Sequence, residues 1–253
     1  MNHTLRSLTK SPGFTAAAVL TLALGIGANT AIFTIVNSVL LRPLPFPDSE
    51  QLVQIWQKTP SGEPLMARGP NFKYWRDEAT LLDGIAALDP QSATATGGGE
   101  PERLQGYEVS ASYLHVFRIR PLLGADFPAD AYRVGGPNRL VIISHALWQS
   151  RFGGDPTVVN RPLRLDGIDY TIVGVLPPHA LPRNDVAFLR PLALEDPAKP
   201  WRMDPMSPWA VVVARMKPGV TPAQLSAEMS RIHTNHLAQF PAPARPFVGD
   251  PDA

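Results

Sequence analysis

The side chains that could do chemistry in this sequence are few, and their spacing assembles no known catalytic motif. Ser144 and His145 are adjacent, which sends their side chains in different directions, so a serine nucleophile activated by this histidine is not favoured. Ser144 instead fits the N-cap of a helix. The chain has no G-x-S-x-G nucleophile elbow and no cysteine, so neither serine-hydrolase nor thiol chemistry is indicated.

The sequence gives little more support for a metal site or a phosphate site than for a catalytic motif. His233 and His236 have helical i, i+3 spacing, but the sequence offers no third ligand, and we interpret both as packed or solvated. Asp126 and Asp130 lie among loop residues and are interpreted as solvated carboxylates. The triplet Gly97–Gly99 lacks the lysine and hydroxyl of a P-loop and predicts a hairpin or loop. We therefore predict no catalytic residue, no metal site, no cofactor and no ATP hydrolysis by this chain.

The composition narrows the function classes further. The formal net charge is +1, so electrostatics gives no reason to expect a nucleic-acid partner. The absence of cysteine is compatible with an exported bacterial domain large enough to build its core without disulfides. The 28 prolines favour short elements and many turns.

The first recognisable element of the chain is an uncharged apolar run from Phe14 to Leu41. A helix rises about 1.5 Å per residue, so roughly 20 apolar residues cross the ~30 Å hydrocarbon layer of a membrane. Arg6 and Lys10 precede the run, and basic flanks stay in the cytoplasm. We predict a cytoplasmic N-terminus (1–13), a single transmembrane helix (14–41) and an extracytoplasmic remainder, with membrane lipid as a partner. The alternatives are a cleaved secretory signal and a helix buried in a globular domain.

Small residues mark one face of the predicted transmembrane helix. Ala23, Gly27 and Ala31 recur every four residues, which lets a second helix approach closely. No second apolar run of this length follows, so the packing partners are expected on another chain or in sequence beyond Ala253.

Beyond the run, strand and helix patterns are mixed without regular alternation, which predicts an α+β domain. Asp166-Gly167 predicts a two-residue hairpin turn, with Leu163 and Leu165 leading in on one face. Further strands are predicted at 52–56, 140–143 and 209–216. The stretch 42–51 predicts a stiff, extended exit from the membrane. The proline-rich tail 241–253 predicts disorder, which leaves 42–240 as the extracytoplasmic domain.

Two longer helices are predicted in that domain. Asn71 is expected to cap one that runs to about Leu82. The capping-box pattern from Thr221 to Gln224 begins the other, which is expected to reach about Gln239. Their inner faces are predicted to comprise Phe72, Trp75, Ala79 and Leu82 in the first, and Leu225, Met229, Ile232 and His236 in the second.

Three segments, in this order, resemble the MacB-like permeases of the wider FtsX-like group of ABC transporter membrane proteins. SPGFTAAAVLTLALGIGANTAIFTIVNSVLLRPLP is similar to their first transmembrane helix. ALWQSRFGGDPTVVNRPLRLDGIDYTIVGVLPP resembles their periplasmic core domain, and VVARMKPGVTPAQLSAEM its closing strand, turn and helix. The resemblance covers residues 6 to about 240.

The resemblance implies a partner set and a role. Such permeases place a two-lobed periplasmic domain between the first two of four transmembrane helices. They work as dimers with an ATPase subunit on a separate or fused chain, engage periplasmic partners such as an adaptor, and transmit nucleotide-driven motion during export. For this chain the expected partners are therefore a separate ATPase, a permease dimer partner and a periplasmic adaptor.

The sequence departs from the family pattern at three places. It ends before a second transmembrane helix, which predicts a C-terminally truncated or split permease. Asn160 stands where the family usually has glycine, and the segment Phe117–Pro121 replaces a more usual leucine-glycine pair. The function predicted is a membrane-anchored core portion of an export permease that does not catalyse. The alternatives are a stand-alone periplasmic interaction module, a non-functional truncated permease and, less favoured, an anchored enzyme.

Overall fold

The structure, a computed structural model, describes residues 12–36, 45–59, 61–98, 100–181, 183, 185–242, 245 and 251–252. The chain divides into two compact units, Met1–Leu44 and Pro45–Ala253. In the first unit, helix α1 spans Pro12–Val36 and carries no acidic residue in its first turn and no basic residue in its last. The basic flank at Arg6 and Lys10, and the end of the predicted span at 37–41, lie outside the described residues.

Among the residues that the structure describes, no helix meets the joint requirement of length and hydropathy for a membrane span.

The second unit is built on a mixed sheet whose twelve described strands include four very short ones. The longer strands are β1 Leu52–Lys58, β4 Leu82–Thr96, β5 Glu102–Val109, β7 Leu140–Ile143, β8 Pro162–Leu165, β9 Ile168–Val175, β10 Val186–Pro191 and β11 Pro208–Met216. The short ones are β2 Pro64–Leu65, β3 Ala67–Arg68, β6 Leu123–Gly124 and β12 Pro251–Asp252. The helices are α2 Gly69–Glu78, α3 Tyr113–Val116, α4 His145–Phe152 and α5 Pro222–His236.

The strand order is β12-β1-β11-β4-β5-β10-β7-β9-β6. Strand β8 pairs with both β9 and β4, so β4, β5, β10, β7, β9 and β8 form a closed ring of six strands. The β5–β10 and β7–β9 pairs are parallel, whereas the other pairs of the ring are antiparallel. This combination of helices with a mixed sheet confirms the α+β class.

Strand β4 is long enough to pair with different strands along its length. It therefore connects the two ends of the sheet. Its first half, from Leu82 to Leu88, pairs with β11, and its second half, from Leu88 to Ala95, pairs with β5. The last two residues, Ala95 and Thr96, pair with β8 and close the ring.

Three large clusters of buried apolar side chains stabilise the unit. One lies where α2 and α5 cover β1, β11 and the first half of β4, and it includes Trp75 and Ile232. A second lies within the ring around Phe188 and Ile172, and a third surrounds Tyr113. Strand β7 contributes to two clusters because Val141 and Ile142 point to opposite faces. Burial on both faces explains why this strand is an unbroken apolar run.

Several sequence predictions of local structure are confirmed. The turn between β8 and β9 is Asp166-Gly167, with φ of 49° and 79°, and Leu163 and Leu165 are buried. Ser144 caps α4 by accepting the N–H of Leu147 at 3.1 Å. The strands predicted at 52–56, 140–143 and 209–216 are present as β1, β7 and β11.

The second predicted helix is also confirmed at its start. Thr221 and Gln224 form the reciprocal capping box, with proline at the first helical position. Leu225, Met229 and Ile232 are fully buried, as predicted.

The prediction that Asn71 caps α2 and that the helix reaches Leu82 is wrong. Helix α2 already begins at Gly69, and Asn71 is buried in its first turn, 3.1 Å from His233 Nδ1. The helix ends at Glu78 because Glu228 on α5 accepts the N–H groups of Thr80 and Leu81, which holds the chain in an extended turn. Leu82 therefore begins β4.

Two further predictions need correction. The inner face of α5 includes His233, whereas His236 is only half-buried and stacks on Tyr74 with ring centroids 3.8 Å apart. The described part of the exit segment, 45–51, is not extended. Asp48 adopts a left-handed conformation, and a 3₁₀ turn follows at Ser49–Gln51. Arg215 Nη1 donates to the carbonyl oxygen of Asp48 at 2.9 Å and stabilises this bend.

The proline-rich tail lies mostly outside the described residues. Of its described part, Arg245 donates to the carbonyl oxygens of Phe240 and Ala238, and Pro251–Asp252 pair with β1 at Gln57 and Trp56. The predicted disorder and the two-lobed division both stay predictions.

Candidate functional site

A buried network of charged side chains lies across three neighbouring strands. Asp89 on β4, Glu108 on β5 and Arg190 on β10 are direct register partners, so the three side chains share one face of the sheet. Two carboxylates side by side repel each other, and neither can be buried without nearby cations. The sheet register thus creates a demand for positive charge at this place.

Strand β10 and the segment after it supply the cations. Arg202, which is 1% exposed, donates from Nη2 to Asp89 Oδ2 at 2.8 Å and also to Glu108. Lys199 Nζ donates to both oxygens of Glu108, at 2.9 and 2.8 Å. Arg190 Nη2 donates to Glu108 Oε1 at 3.1 Å. Three cations therefore surround two carboxylates.

Aromatic and backbone groups hold the two arginines in place. Arg202 donates from Nη1 to the carbonyl oxygen of Ala193 at 3.0 Å and lies 5.4 and 5.6 Å from the rings of Trp201 and Trp209. Arg190 donates from Nη1 to the Tyr170 hydroxyl at 2.8 Å. Such planar contacts suit arginine better than lysine.

The network shifts the pKa values of the two carboxyl groups in opposite directions. Burial raises the pKa of Glu108, but the hydrogen bond from Lys199 and the charge of Arg202 outweigh it, so the pKa of Glu108 lies below its usual value. For Asp89, burial dominates over the Arg202 hydrogen bond, and the pKa is raised. Both oxygens of Glu108 already accept hydrogen bonds, so this arrangement suits an electrostatic joint between strands better than a general acid or base.

A cleft of about 440 Å³ opens over this network. Arg190, Lys199 and Arg202 of the network line it, together with Arg133 and Arg139 from the loop between β6 and β7. The other lining residues are Glu108, Val134, Gly135, Asn138, Ile168, Tyr170, Pro191, Ala193 and Asp196. The cleft is therefore concave, with five basic and two acidic residues among those that line it.

The structure does not bring the residues considered as catalytic or metal-binding candidates together in one site. Ser144 is occupied as a helix cap, and His145 packs edge-on against Trp148 at 5.4 Å. Asp126 accepts the N–H of Phe127 at 2.7 Å. Within the described part of the chain, no group of three or more histidine, cysteine or acidic side chains could hold a metal ion.

His233 and His236 are both engaged in packing. His233 is buried beside Asn71, and His236 hydrogen bonds to Glu78. Ala23, Gly27 and Ala31 lie at i, i+4 and i+8 of α1, and Ala23 and Gly27 are exposed.

Sequence reasoning missed the charged network. A weak signal exists, because Asp89 interrupts an apolar strand and Glu108 follows directly on Tyr107 near the end of another. Nothing in the one-dimensional pattern says that these residues are opposite each other, since that depends on the register of β4 against β5.

The fold is a mixed α+β domain of the extracytoplasmic type, and the comparisons with known proteins agree with it. The model of the MacB-like periplasmic core domain matches residues 15–232. The chain belongs to this family, which is a domain of ABC-type permeases. No curated protein sequence matches the chain.

Solved structures resemble this chain at low sequence identity, among them the following three. The periplasmic region of MacB from Actinobacillus actinomycetemcomitans has a TM-score of 0.57 at 10% identity, covering 74% of this chain and 84% of its own. The extracellular domain of the noncanonic ABC-type transporter YknZ from Gram-positive bacteria has a TM-score of 0.54 at 14% identity, covering 73% and 94%. A permease-protein domain from Porphyromonas gingivalis has a TM-score of 0.59 at 18% identity, covering 76% and 86%. At these identities the likeness shows the fold alone.

Proposed function

We propose that this chain is the membrane-anchored, extracytoplasmic core portion of an ABC-type export permease, and that it transmits motion or engages partners without catalysing a reaction. The observation that carries the proposal is the family match over residues 15–232, which starts inside the apolar run and extends into α5. The multiply paired Glu108, which links β5 to β10 and to the 199–202 segment, supports a mechanical role, since such a joint couples strands rigidly.

The proposal includes the anchor. The run from Phe14 to Leu41 is uncharged, and α1 is 25 residues long, which corresponds to about 37 Å of helix. In this arrangement residues 1–13 are cytoplasmic, 14–41 cross the inner membrane, and 42–240 form the periplasmic core. The partners proposed are a separate ATPase subunit, a second permease copy, a periplasmic adaptor and membrane lipid around the anchor.

Three measurements on the full chain test the proposal. Alkaline carbonate should leave the chain in the membrane pellet, and protease added outside spheroplasts should digest it. Complexes purified from those membranes in mild detergent should hydrolyse ATP above the rate of a mock purification. Extraction by carbonate would contradict the anchor, and a membrane-bound chain without any ATPase subunit would favour the stand-alone interaction module.

The small-residue face of α1 makes a separate prediction. If Ala23, Gly27 and Ala31 pack against another helix, Gly27→Leu should weaken that association, because leucine fills the space needed for close approach. Cross-linking of the full chain in membranes measures the effect, and Gly25→Leu, two residues away on a different face, is the control. Equal cross-linking of both variants and the natural chain would show that this face does not pack against another helix.

A further inference from the structure

The cleft over the charged network carries more positive charge than its own carboxylates neutralise. In the buried network, Arg190, Lys199 and Arg202 face Asp89 and Glu108, which leaves one positive charge in excess. Arg133 and Arg139 add two more at the rim, and Asp196 removes one. A concave surface of one sign with low-dielectric walls concentrates its potential, and it attracts counter-ions of the opposite sign.

The rim arginines are available to a ligand. Arg133 and Arg139 are exposed, and neither forms an ion pair with any residue that the structure describes. They lie on the loop between β6 and β7, and both line the cleft.

The half-buried Arg190 and the buried Arg202 retain unused donor capacity. Arg190 and Arg202 both line the cleft, and the Nε atom of each is buried without a hydrogen-bond partner among the described residues. A buried N–H group that lacks an acceptor costs free energy, so the carboxylates of the network do not fully satisfy these two arginines. This observation is independent of the charge count.

Apolar side chains border the same opening. Val134 is 54% exposed and Ile168 is 42% exposed, and both line the cleft together with Tyr170. Small-ligand sites commonly combine such apolar walls with a few convergent polar groups, at volumes of about 300–1,000 Å³.

We propose that this cleft binds an organic anion whose phosphate or carboxylate group is held by Arg133, Arg139 and Arg190, and whose apolar part contacts Val134 and Ile168. Arginine suits this task because its planar guanidinium donates two parallel hydrogen bonds to such groups. The anion is either a free metabolite-sized molecule or the headgroup end of a lipid, which share this chemistry. The proposal concerns this chain alone and does not depend on the permease assignment.

Titration calorimetry on the full chain in a neutral detergent at low ionic strength tests the proposal. The probes are inorganic phosphate, hexyl phosphate, a short-chain phosphatidylglycerol and, as a neutral control, hexyl glucoside. Hexyl phosphate should bind more tightly than inorganic phosphate, and hexyl glucoside should not bind. Tighter binding of the phosphatidylglycerol than of hexyl phosphate would support the site and assign its ligand to lipid.

Variants at the rim distinguish this site from uptake into detergent. Arg133→Gln and Arg139→Gln should each weaken hexyl phosphate binding about fivefold, since each removes one exposed charge contact. Arg120→Gln, an exposed arginine that does not line the cleft, should leave the affinity unchanged. Because the three residues are exposed, all variants should fold. The absence of binding, or equal binding by the double rim variant and the natural chain, would overturn the proposal.

Discussion

At the scale of single residues, Glu108 is held by several charged neighbours at once. Its carboxylate accepts hydrogen bonds from three cations on two different segments. A buried pair of this kind is weak support for net stability, but the removal of one partner leaves an uncompensated charge. Removing one member of the network should therefore destabilise the fold strongly. Replacing the whole network by apolar residues of similar volume should cost less.

We predict that Glu108→Gln lowers the free energy of unfolding by about 3 kcal/mol, because the buried Arg202 loses one of its two carboxylate partners. Chemical denaturation at neutral pH measures the change. Glu100→Gln, an exposed glutamate between β4 and β5, is the control and should change stability by less than about 0.5 kcal/mol. Equal stability of the two variants would show that the network is not a structural joint.

Glu228 makes a prediction about pH. Burial raises the pKa of Glu228, but hydrogen bonds from Thr80 and Leu81 outweigh it and leave the pKa below its usual value. Because the folded pKa is depressed, the ionised group stabilises the fold at neutral pH. That contribution is lost as the pH falls below the ordinary glutamate range, about 4.3, through the folded pKa.

Glu228→Gln should therefore destabilise the domain at pH 7 by about 1–2 kcal/mol, and the difference from the natural chain should shrink on acidification to pH 3. Unfolding free energies across this pH range measure it, again with Glu100→Gln as the control. A difference that is constant with pH would show that the charge of Glu228 is not involved.

Asn160 has a left-handed backbone conformation, which is uncommon for a residue other than glycine. Its φ is 70°, a left-handed conformation that glycine adopts freely and asparagine tolerates better than most residues. This backbone conformation is compatible with the glycine that the resemblance led us to expect at this position.

At the scale of elements, the turn between β8 and β9 is decided by backbone conformation. Gly167 has a φ of 79°, and a Cβ atom added there would meet no heavy atom within 4 Å. Any cost of a substitution comes from the positive φ and not from a clash.

We predict that Gly167→Val destabilises the domain by about 1 kcal/mol or more, because a β-branched residue is strained at positive φ. Gly167→Asn is the matched control and should cost less, since asparagine tolerates this region. Thermal unfolding of both variants measures the difference. Identical melting temperatures would contradict the strain argument.

At the scale of the whole molecule, residues 45–253 form one compact unit with its own buried clusters. The ring of six strands and the layer of α2 and α5 are both contained in it. We predict that this unit, expressed without residues 1–44, unfolds cooperatively.

Circular dichroism and a single cooperative thermal transition would check that prediction. Expression of 45–253 with Phe188→Ala is the control for a disrupted core, because Phe188 is fully buried within the ring, and it should melt at a clearly lower temperature. A broad, non-cooperative transition of the unaltered unit would show that the first 44 residues are needed for folding.

Local features of this protein follow from the sequence because short-range physics determines them. The Asp166-Gly167 turn, the Ser144 cap and the capping box at Thr221 each depend on residues a few positions apart, and each is present as predicted. The α+β class and the family also follow from the order of recognisable segments. The end of α2 does not follow from the sequence. The chain leaves the helix where Glu228 accepts the N–H group of Thr80, and these two residues are 148 positions apart.

The charged network and its cleft were decided only by the tertiary structure. Asp89, Glu108, Arg190 and Arg202 are scattered over more than a hundred positions, and each alone resembles an ordinary surface charge. The register of β4, β5 and β10 places the first three side by side, and the turn at Pro200–Met203 returns Arg202 to them. Burial then makes their charges interdependent, since ions removed from water require partners. Such partnership depends on distances in space, which a linear pattern of residue types does not contain.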